Sequence, residues 1–254
     1  MSSGRSVGVE SRLRTVHGQQ IAMRVEGEGD PLLLINGITR PIKSWEPFTR
    51  ELRRRTVISF DAPGVGDSPT PALPLSMPSL ASLAAAVLDA AGHGDADVLG
   101  FSHGGAVAQQ LAVDLPDRVR RLILVATSCG VGSTPGRKRD VLAGLWTPDG
   151  AMAWPQSDPM GLLWQSLAFS NWSSIPFLGA IRAPTLVVCG SGDTVVPPVN
   201  SRVLAGRIPG ACLVMLPGGH DLQRVESARA LARTVEDFLL SSTSPINEEG
   251  YENA

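Results

Sequence analysis

Cysteine is scarce in this sequence, and its placement suits neither a disulfide framework nor a zinc site. The 254 residues contain three cysteines, Cys129, Cys189 and Cys212, which lie far apart and form no CxxC pair. An odd number of cysteines at such spacings is typical of free thiols in a reducing compartment. We therefore predict a cytoplasmic protein that has no structural disulfide, no metal site and no cofactor.

An excess of charge of one sign is also lacking. The formal net charge is −2, and scattered arginines supply nearly all positive charge, since lysine occurs only at Lys43 and Lys138. This pattern excludes an electrostatic footprint for nucleic acid or an anionic membrane surface. No apolar run approaches the ~18 residues of a transmembrane helix, and the start MSSGRSVG lacks the apolar core of a signal peptide. We expect neither a nucleic-acid partner nor a membrane span.

Short apolar runs recur along the chain, and they predict strands. Two segments joined across His17-Gly18-Gln19, Arg14–Val16 and Ile21–Val25, indicate an antiparallel hairpin. The later runs show no polar alternation, which is typical of strands covered on both faces of a parallel sheet. These runs are Leu32–Ile35, Thr56–Phe60, Asp97–Phe101, Leu122–Ala126, Thr185–Cys189 and Cys212–Leu216.

Helical stretches separate the apolar runs. The predicted helices are Ser44–Arg54, Pro78–Ala90, His103–Val113, Val199–Arg207 and Leu222–Leu240. Strands and helices that alternate at this spacing predict an α/β fold, with a mostly parallel, doubly wound sheet and right-handed crossovers. We expect residues 9–130 and 179–240 to form this core, and residues 1–8 and 241–254 to be disordered tails.

The segment 131–178 interrupts the alternation. About fifty residues separate two consecutive strands here, where a simple crossover needs far fewer. One interpretation is a peripheral helical subdomain with its own small core. The other, which we favour, is a short helical lid whose aromatic inner face lines an apolar substrate pocket. The predicted substrate-binding residues are Trp146, Trp164, Phe169 and Trp172.

The sequence Gly100-Phe101-Ser102-His103-Gly104 contains the pattern G-x-S-x-G. The pattern alone is weak, because glycine and serine are common in this chain. Its position is informative, since it joins a predicted strand to a predicted helix at the turn that holds a nucleophilic serine. At a helix N-terminus, free N–H groups favour a developing anion. We predict that Ser102 is a nucleophile and not simply the N-cap of a helix.

A serine hydroxyl needs a base to remove its proton, and the chain offers His17, His93, His103 and His220. His17 and His93 lie in turns, and the His103 side chain should point away from Ser102 along the helix. His220 follows the last predicted strand, so it reaches the sheet edge at which Ser102 lies. We predict that His220 is the base.

The base in turn needs an acceptor for its second ring nitrogen. Asp193 follows the fifth buried run and reaches the same edge, although it is also a plausible turn residue. Asp221 is adjacent to His220, but neighbouring side chains diverge, and we expect Asp221 to cap a helix that begins at Leu222. The chain order Ser102, Asp193, His220 is that of α/β-hydrolases and differs from those of chymotrypsin and subtilisin.

Two backbone amides are expected to form an oxyanion hole. One belongs to His103, directly after the nucleophile, and the other to Ile38 in the loop after Leu32–Ile35. Asn36 either organises this loop through side-chain hydrogen bonds or is an ordinary turn residue. The turn at Asp61–Ser68 is expected to have a structural role.

These residues make the chain resemble the serine α/β-hydrolases over nearly all of His17–Leu240. Within that superfamily it is most similar to the intracellular depolymerases of medium-chain polyhydroxyalkanoates. The resemblance implies that Ser102, Asp193 and His220 form a catalytic triad. The similar stretches are PLLLINGI at 31–38, DAPGVGDSPTP at 61–71, AVAQQLAVDLPDR at 106–118, WQSLAFSNWSSI at 164–175 and RIPGACL at 207–213.

Two departures from that family concern the substrate pocket. His103 stands where the family carries a tryptophan, and the lid between Val131 and Met160 is shorter. We therefore predict a cofactor-free carboxylic-ester hydrolase that forms an acyl-enzyme with apolar acyl esters, such as hydroxyalkanoate oligomers or polyester. The alternatives are a small-molecule esterase, lactonase or thioesterase of specialised metabolism, and a non-hydrolytic cyclase or ligand receptor on the same fold.

Overall fold

A single sheet carries the helices and loops of the molecule. The computed structural model describes residues 11–143 and 158–241. These residues form eight strands in the order β1-β2-β4-β3-β5-β6-β7-β8. The pairs β1–β2 and β2–β4 are antiparallel, and each pair from β4–β3 to β7–β8 is parallel. The strands are β1 (Arg12–Val16), β2 (Gln19–Glu26), β3 (Asp30–Ile35), β4 (Arg55–Phe60), β5 (Ala96–Phe101), β6 (Val119–Val125), β7 (Thr185–Gly190) and β8 (Cys212–Leu216).

The predicted strands are present. The ends of the six buried strands differ from the predictions by three residues or fewer. In the predicted hairpin, β1 and β2 are joined by His17 and Gly18, whose φ angles are 48° and 75°. A two-residue turn with two positive φ angles matches the right-handed twist of the strands. The mostly parallel α/β sheet is therefore confirmed.

Helices cover both faces of the sheet. In the described residues they are α1 (Glu46–Thr49), α2 (Met77–Ala90), α3 (His103–Asp114), α4 (Lys138–Ala143), α5 (Pro159–Ser170), α6 (Pro198–Arg207) and α7 (Val225–Leu240). Helices α2, α3 and α6 pack on one face, and α1 and α7 on the other. In β3, for example, Leu33 and Ile35 belong to the first core, while Leu32 and Leu34 belong to the second. Burial on both faces explains why these strands lack polar alternation.

Two predicted helices were wrong in extent. The segment Ser44–Arg54 forms a 3₁₀ turn at Ile42–Trp45 followed by the short helix α1, and Arg54 takes a φ of 51°, which no α-helix allows. Helix α7 begins at Val225 and not at Leu222, because residues 221–224 form a turn with a hydrogen bond from the Arg224 N–H to the Asp221 carbonyl.

Helix α5 is attached to the proline-rich turn that follows β4. The Asp158 N–H donates to the Gly64 carbonyl at 3.0 Å, and the Thr70 hydroxyl donates to the Asp158 carboxylate at 2.7 Å. The Trp164 indole donates to the Pro71 carbonyl at 3.1 Å. A side chain at Gly161 would collide with the Gly64 backbone. Helix α5 therefore lies directly against this turn.

The boundaries of the inserted segment at residues 131 and 178 stay a prediction. Its described parts are α4, α5 and the residues around them, and Trp146 lies outside the described residues. So do the predicted disordered tails, residues 1–8 and 241–254, apart from Ser241.

The turn after β4 is organised by a buried carboxylate. Asp61 is 2% exposed and accepts hydrogen bonds from the Ile42 N–H at 2.7 Å and the Asp67 N–H at 3.0 Å. Burial raises the pKa of Asp61, and these two backbone hydrogen bonds lower it in part. The structural role expected for this turn fits these contacts.

We predict that Asp61→Ala lowers the free energy of unfolding by about 1–3 kcal/mol, because it leaves the buried Ile42 N–H and the partly buried Asp67 N–H without their acceptor. The measurement is the urea midpoint at pH 7. Asp117→Ala, at an exposed aspartate of a 3₁₀ turn, is the control and should change the midpoint little. Equal effects of the two substitutions would contradict a structural role for the buried carboxylate.

Candidate active site

Ser102 occupies a strained turn between β5 and α3. Its backbone angles are φ 52° and ψ −119°, a conformation that non-glycine residues rarely adopt. The flanking glycines allow the turn, because a side chain at Gly100 would collide with the Gly104 carbonyl and one at Gly104 with the Ile35 carbonyl. The result is a serine that ends a strand and begins a helix, as the G-x-S-x-G pattern predicts.

The structure brings the three predicted polar side chains together. His220 Nε2 lies 3.1 Å from Ser102 Oγ, and His220 Nδ1 lies 2.8 Å from Asp193 Oδ2. Asp193 is 3% exposed, and its other oxygen accepts hydrogen bonds from the Val195 and Val196 N–H groups, both at 2.8 Å. The carboxylate is therefore fixed while it holds the imidazole. This array has the geometry of a nucleophile, a base and an orienting acid.

The residues around His220 hold its ring in place. The Phe101 ring lies 5.1 Å from the imidazole, measured between centroids. The guanidinium of Arg40 lies over the Phe101 ring, 5.7 Å from the ring centroid. Arg40 also forms an ion pair with Asp221, next to His220 in sequence. Sequence reasoning missed Arg40, since its partner is distant along the chain.

Asp221 does not cap a helix, so that expectation was wrong. Its two carboxylate oxygens are taken up by Arg40 and by Arg224, the latter at 2.7 Å. Arg224 is the N-cap residue of α7, and that cap has no side-chain hydrogen bond. Strong pairing with two guanidinium groups outweighs capping, because charge-assisted hydrogen bonds are the stronger kind.

The loop after β3 is organised by Asn36. Its amide nitrogen donates to the Pro41 carbonyl at 3.0 Å and to the Ser44 hydroxyl at 2.8 Å, while its oxygen accepts from the Gly37 N–H at 2.9 Å. Of the two interpretations of Asn36, the structure supports the loop organiser.

The amides expected to form an oxyanion hole are available for hydrogen bonding. In the described parts of the chain, neither the Ile38 N–H nor the His103 N–H donates to a protein acceptor. Helix α3 begins at His103, so its amide lies at the positive end of the helix dipole.

The His103 side chain packs under α5. Its ring centroid lies 5.9 Å from that of Phe169. Burial lowers the pKa of His103 to about 4, and a hydrogen bond with the backbone of Gln165 raises this pKa in part. His103 is thus neutral at pH 7. Gln165, which is 3% exposed, is a second residue that sequence reasoning missed.

Two of the predicted substrate-binding tryptophans have indoles that are hydrogen-bonded within the protein. Trp172 is 8% exposed, and its indole donates to Gln110 Oε1 at 2.7 Å. Trp164 donates to the Pro71 carbonyl, as described above. Both hydrogen bonds satisfy the indole within the protein, which favours anchoring over substrate contact. Phe169, by contrast, lies beside the ring of His103, the residue that follows Ser102.

An open groove lies on another side of α5. Its volume is about 370 Å³, and none of Ser102, Asp193 and His220 lines it. The groove runs between the start of α2 and the end of α5, and Trp172 forms part of its wall. The chemistry of the polar array therefore does not reach this groove.

The described residues contain no cluster of three or more histidine, cysteine or acidic side chains that could hold a metal ion. None of their helices is long and apolar enough to cross a membrane.

Known proteins share the sequence family and the fold of this chain. The family model of the alpha/beta hydrolase fold matches residues 30–167 and 155–226. A poly(3-hydroxyalkanoate) depolymerase from Ectopseudomonas oleovorans is 36% identical over 238 residues, which cover 82% of this chain and 84% of that protein. The resemblance to polyhydroxyalkanoate depolymerases is thereby confirmed.

Two solved structures share the fold. A hydrolase from Pseudomonas aeruginosa PA01 has a TM-score of 0.80 at 27% identity, covering 93% of this chain and 100% of that one. The enol-lactonase from Burkholderia xenovorans LB400 also has a TM-score of 0.80, at 26% identity, covering 91% of this chain and 100% of that one. With its strand–turn–helix serine and its mostly parallel sheet, the chain belongs to the alpha/beta hydrolase family.

Proposed function

We propose that this protein is a serine carboxylic-ester hydrolase that acts through a covalent acyl-enzyme. The observation that carries the proposal is the hydrogen-bonded array of Ser102, His220 and Asp193 at a strained strand–helix turn. Similarity to a poly(3-hydroxyalkanoate) depolymerase and an enol-lactonase supports ester chemistry.

In the first half of the reaction, Ser102 Oγ attacks the ester carbonyl while His220 Nε2 takes its proton. The Asp193 carboxylate accepts from Nδ1–H, which fixes the tautomer and stabilises the imidazolium. The Ile38 and His103 amides donate to the oxyanion of the tetrahedral intermediate. His220 then gives its proton to the leaving alcohol, and the acyl group remains on Ser102.

In the second half, water replaces the alcohol. His220 removes a proton from the water as the resulting hydroxide attacks the acyl carbonyl. Collapse of the second tetrahedral intermediate returns the proton to Ser102 and releases the carboxylic acid. These steps use water and side chains of this chain, with no cofactor.

The substrate class we propose is an apolar acyl ester, of which hydroxyalkanoate oligomers and polyester are examples. The depolymerase relative supports this class. Phe169 lies close to His103, the residue that follows the nucleophile, and so contributes an apolar surface for the acyl chain. In this proposal, helix α5 is part of the lid that residues 131–178 form.

A small cyclic ester is the second candidate substrate. The enol-lactonase supports it, because its structure matches this chain with the same TM-score, 0.80, as the hydrolase from Pseudomonas aeruginosa. A non-hydrolytic cyclase or receptor is disfavoured, since binding alone needs no aligned serine, histidine and aspartate.

The three thiols Cys129, Cys189 and Cys212 are free, which supports the cytoplasm as the proposed location.

The triad is tested by Ser102→Ala. We expect ester turnover to fall below about a hundredth of wild type, because removal of a triad member costs far more than that. The measurement is kcat on p-nitrophenyl esters of several chain lengths, with circular dichroism as the control for folding. Residual activity above that limit in the folded variant would exclude the covalent mechanism.

The orienting acid is tested by a pair of aspartate variants. Asp193→Asn should lower kcat by about 10³–10⁴, because the amide favours the wrong histidine tautomer. Asp221→Ala should lower kcat less than tenfold but destabilise the fold by about 1–3 kcal/mol, since Arg40 loses a charged partner.

For both variants, kcat and the urea midpoint are measured on one ester. The assignment of Asp193 is refuted if Asp221→Ala proves the more damaging change to kcat.

The roles of the aromatic residues on α5 are separated by chain length. Phe169→Ala should lower kcat/KM for octanoate esters more than for acetate esters. The difference between the two losses of transition-state stabilisation should be about 1–3 kcal/mol. Trp164→Ala should affect both esters alike and lower the melting temperature, because its indole anchors α5 to Pro71. A chain-length effect confined to Trp164→Ala would reverse these roles.

A further inference from the structure

Residues 134–140, at the start of the inserted segment, are attached to the loop that follows β7. We call them the anchor segment. The Arg137 N–H donates to the Thr194 carbonyl at 2.8 Å. The Thr194 side chain also forms a hydrogen bond with the Asp140 carboxylate, which lowers the pKa of Asp140. In the part of the chain that the structure describes, the bond from Arg137 is the one backbone-to-backbone hydrogen bond that joins residues 194–196 to another segment.

Close packing and a second pair of hydrogen bonds complete this attachment. A Cβ atom at Gly136 would collide with the Val195 carbonyl, so only glycine lets the two backbones lie this close. The Thr134 N–H donates to Asn200 Oδ1 at 2.8 Å, and Asn200 Nδ2 donates to the Thr134 carbonyl at 2.9 Å. Asn200 is 2% exposed and lies on α6, which follows the loop. The anchor segment is thus bonded to both ends of the stretch from the loop into α6.

The loop residues that the anchor segment contacts are those that hold the Asp193 carboxylate. The N–H groups of Val195 and Val196 donate to Asp193 Oδ1, both at 2.8 Å. The other oxygen of Asp193, Oδ2, lies 2.8 Å from His220 Nδ1. A shift of the loop backbone therefore moves the two N–H donors, and with them the carboxylate that orients the imidazole.

We propose that the anchor segment positions the orienting acid of the triad, with Gly136 and Arg137 as the positioning residues. The proposal rests on the proposed function, since orientation by Asp193 matters to the rate only where His220 is the base. The effect of the anchor segment passes through Asp193. A displacement of about 1 Å in such a support can cost about a hundredfold in rate. The inserted segment then supports the triad as well as covering the site.

The first test substitutes Gly136, because one added methyl group is enough to separate the two backbones. Gly136→Ala should lower kcat on p-nitrophenyl esters by about tenfold or more. KM should change by less than about twofold, since the substitution adds no group to the acyl-binding surface. The urea midpoint is measured alongside kcat, so that the activity is expressed per folded molecule.

Gly179→Ala is the matched control. Gly179 lies in the 3₁₀ turn Leu178–Ala180, and a Cβ atom there meets no atom within 4 Å. This variant should keep the wild-type kcat. The proposal is overturned if Gly136→Ala stays within about twofold of the wild-type kcat, or if Gly179→Ala loses as much as Gly136→Ala does.

A double substitution separates positioning from general damage to the protein. In Asp193→Asn no carboxylate remains to be displaced, so adding Gly136→Ala should lower kcat by less than about twofold further. The same loss in both backgrounds would show that the effect does not pass through Asp193, and the proposal would then be wrong.

If Gly136→Ala does not fold, a pair of variants at Arg137 decides instead. Arg137→Pro removes the N–H that donates to the Thr194 carbonyl, whereas Arg137→Ala keeps it. The proline variant should lower kcat by about tenfold or more, and the alanine variant by less than about twofold. Equal values of kcat for these two variants would overturn the proposal.

Crystal structures of Gly136→Ala and Gly179→Ala separate this proposal from the proposed function. The distance from His220 Nδ1 to Asp193 Oδ2 should exceed about 3.5 Å in Gly136→Ala, which is too long for a hydrogen bond. It should stay at 2.8 Å in Gly179→Ala. An unchanged distance in Gly136→Ala would refute the positioning role. If wild type hydrolyses no ester, the proposed function fails, and this distance still decides whether the anchor segment positions Asp193.

Discussion

The left-handed backbone at Ser102 is the constraint on which the active-site arrangement depends. The turn is held from two sides, since the Ser102 N–H donates to the Val125 carbonyl at 2.9 Å and its own carbonyl accepts from the Thr127 hydroxyl at 2.7 Å. A side chain at Gly105 would collide with Thr127, so α3 lies as close to the sheet as its backbone allows. These contacts stabilise a conformation that the serine alone would not adopt. They also fix the start of α3, where the His103 amide is left free.

The loops that carry Asp193 and His220 are hydrogen-bonded to each other. The Ser191 N–H donates to the Leu216 carbonyl at 2.8 Å, and the Gly192 N–H to the Gly218 carbonyl at 2.9 Å. These bonds continue the pairing of β7 with β8 beyond the strand ends. Asp193 and His220 therefore approach Ser102 as one unit, and the Arg40–Asp221 ion pair ties this unit to the loop after β3. The geometry of the site follows from backbone pairing that begins in the sheet.

Most of the fold, and the grouping of Ser102, Asp193 and His220, could be predicted from the sequence. The reason is physical: buried runs define parallel strands, and the carboxyl ends of parallel strands meet at one edge. The errors arose where a distant partner decides the local structure. Asp221 looks like a helix cap until Arg40, 181 residues away, is known to pair with it. The assignment of Trp164 and Trp172 to substrate binding stays a prediction, and composition did not reveal that their indoles donate to Pro71 and Gln110. For Gln165 a signal was present, namely a lone amide at four-residue spacing between Gly161 and Phe169.

Two histidines lie next to Ser102, His103 in sequence and His220 in space, and their surroundings differ. His220 has a buried carboxylate at 2.8 Å from Nδ1, so a proton gained at Nε2 is balanced by negative charge. His103 lacks such a carboxylate partner in the described residues, and its burial lowers its pKa to about 4. It therefore stays neutral through the proposed proton transfers and does not compete with His220 for the serine proton. The ring of His103 packs against Phe169 under α5 instead, so its contacts join α3 to α5.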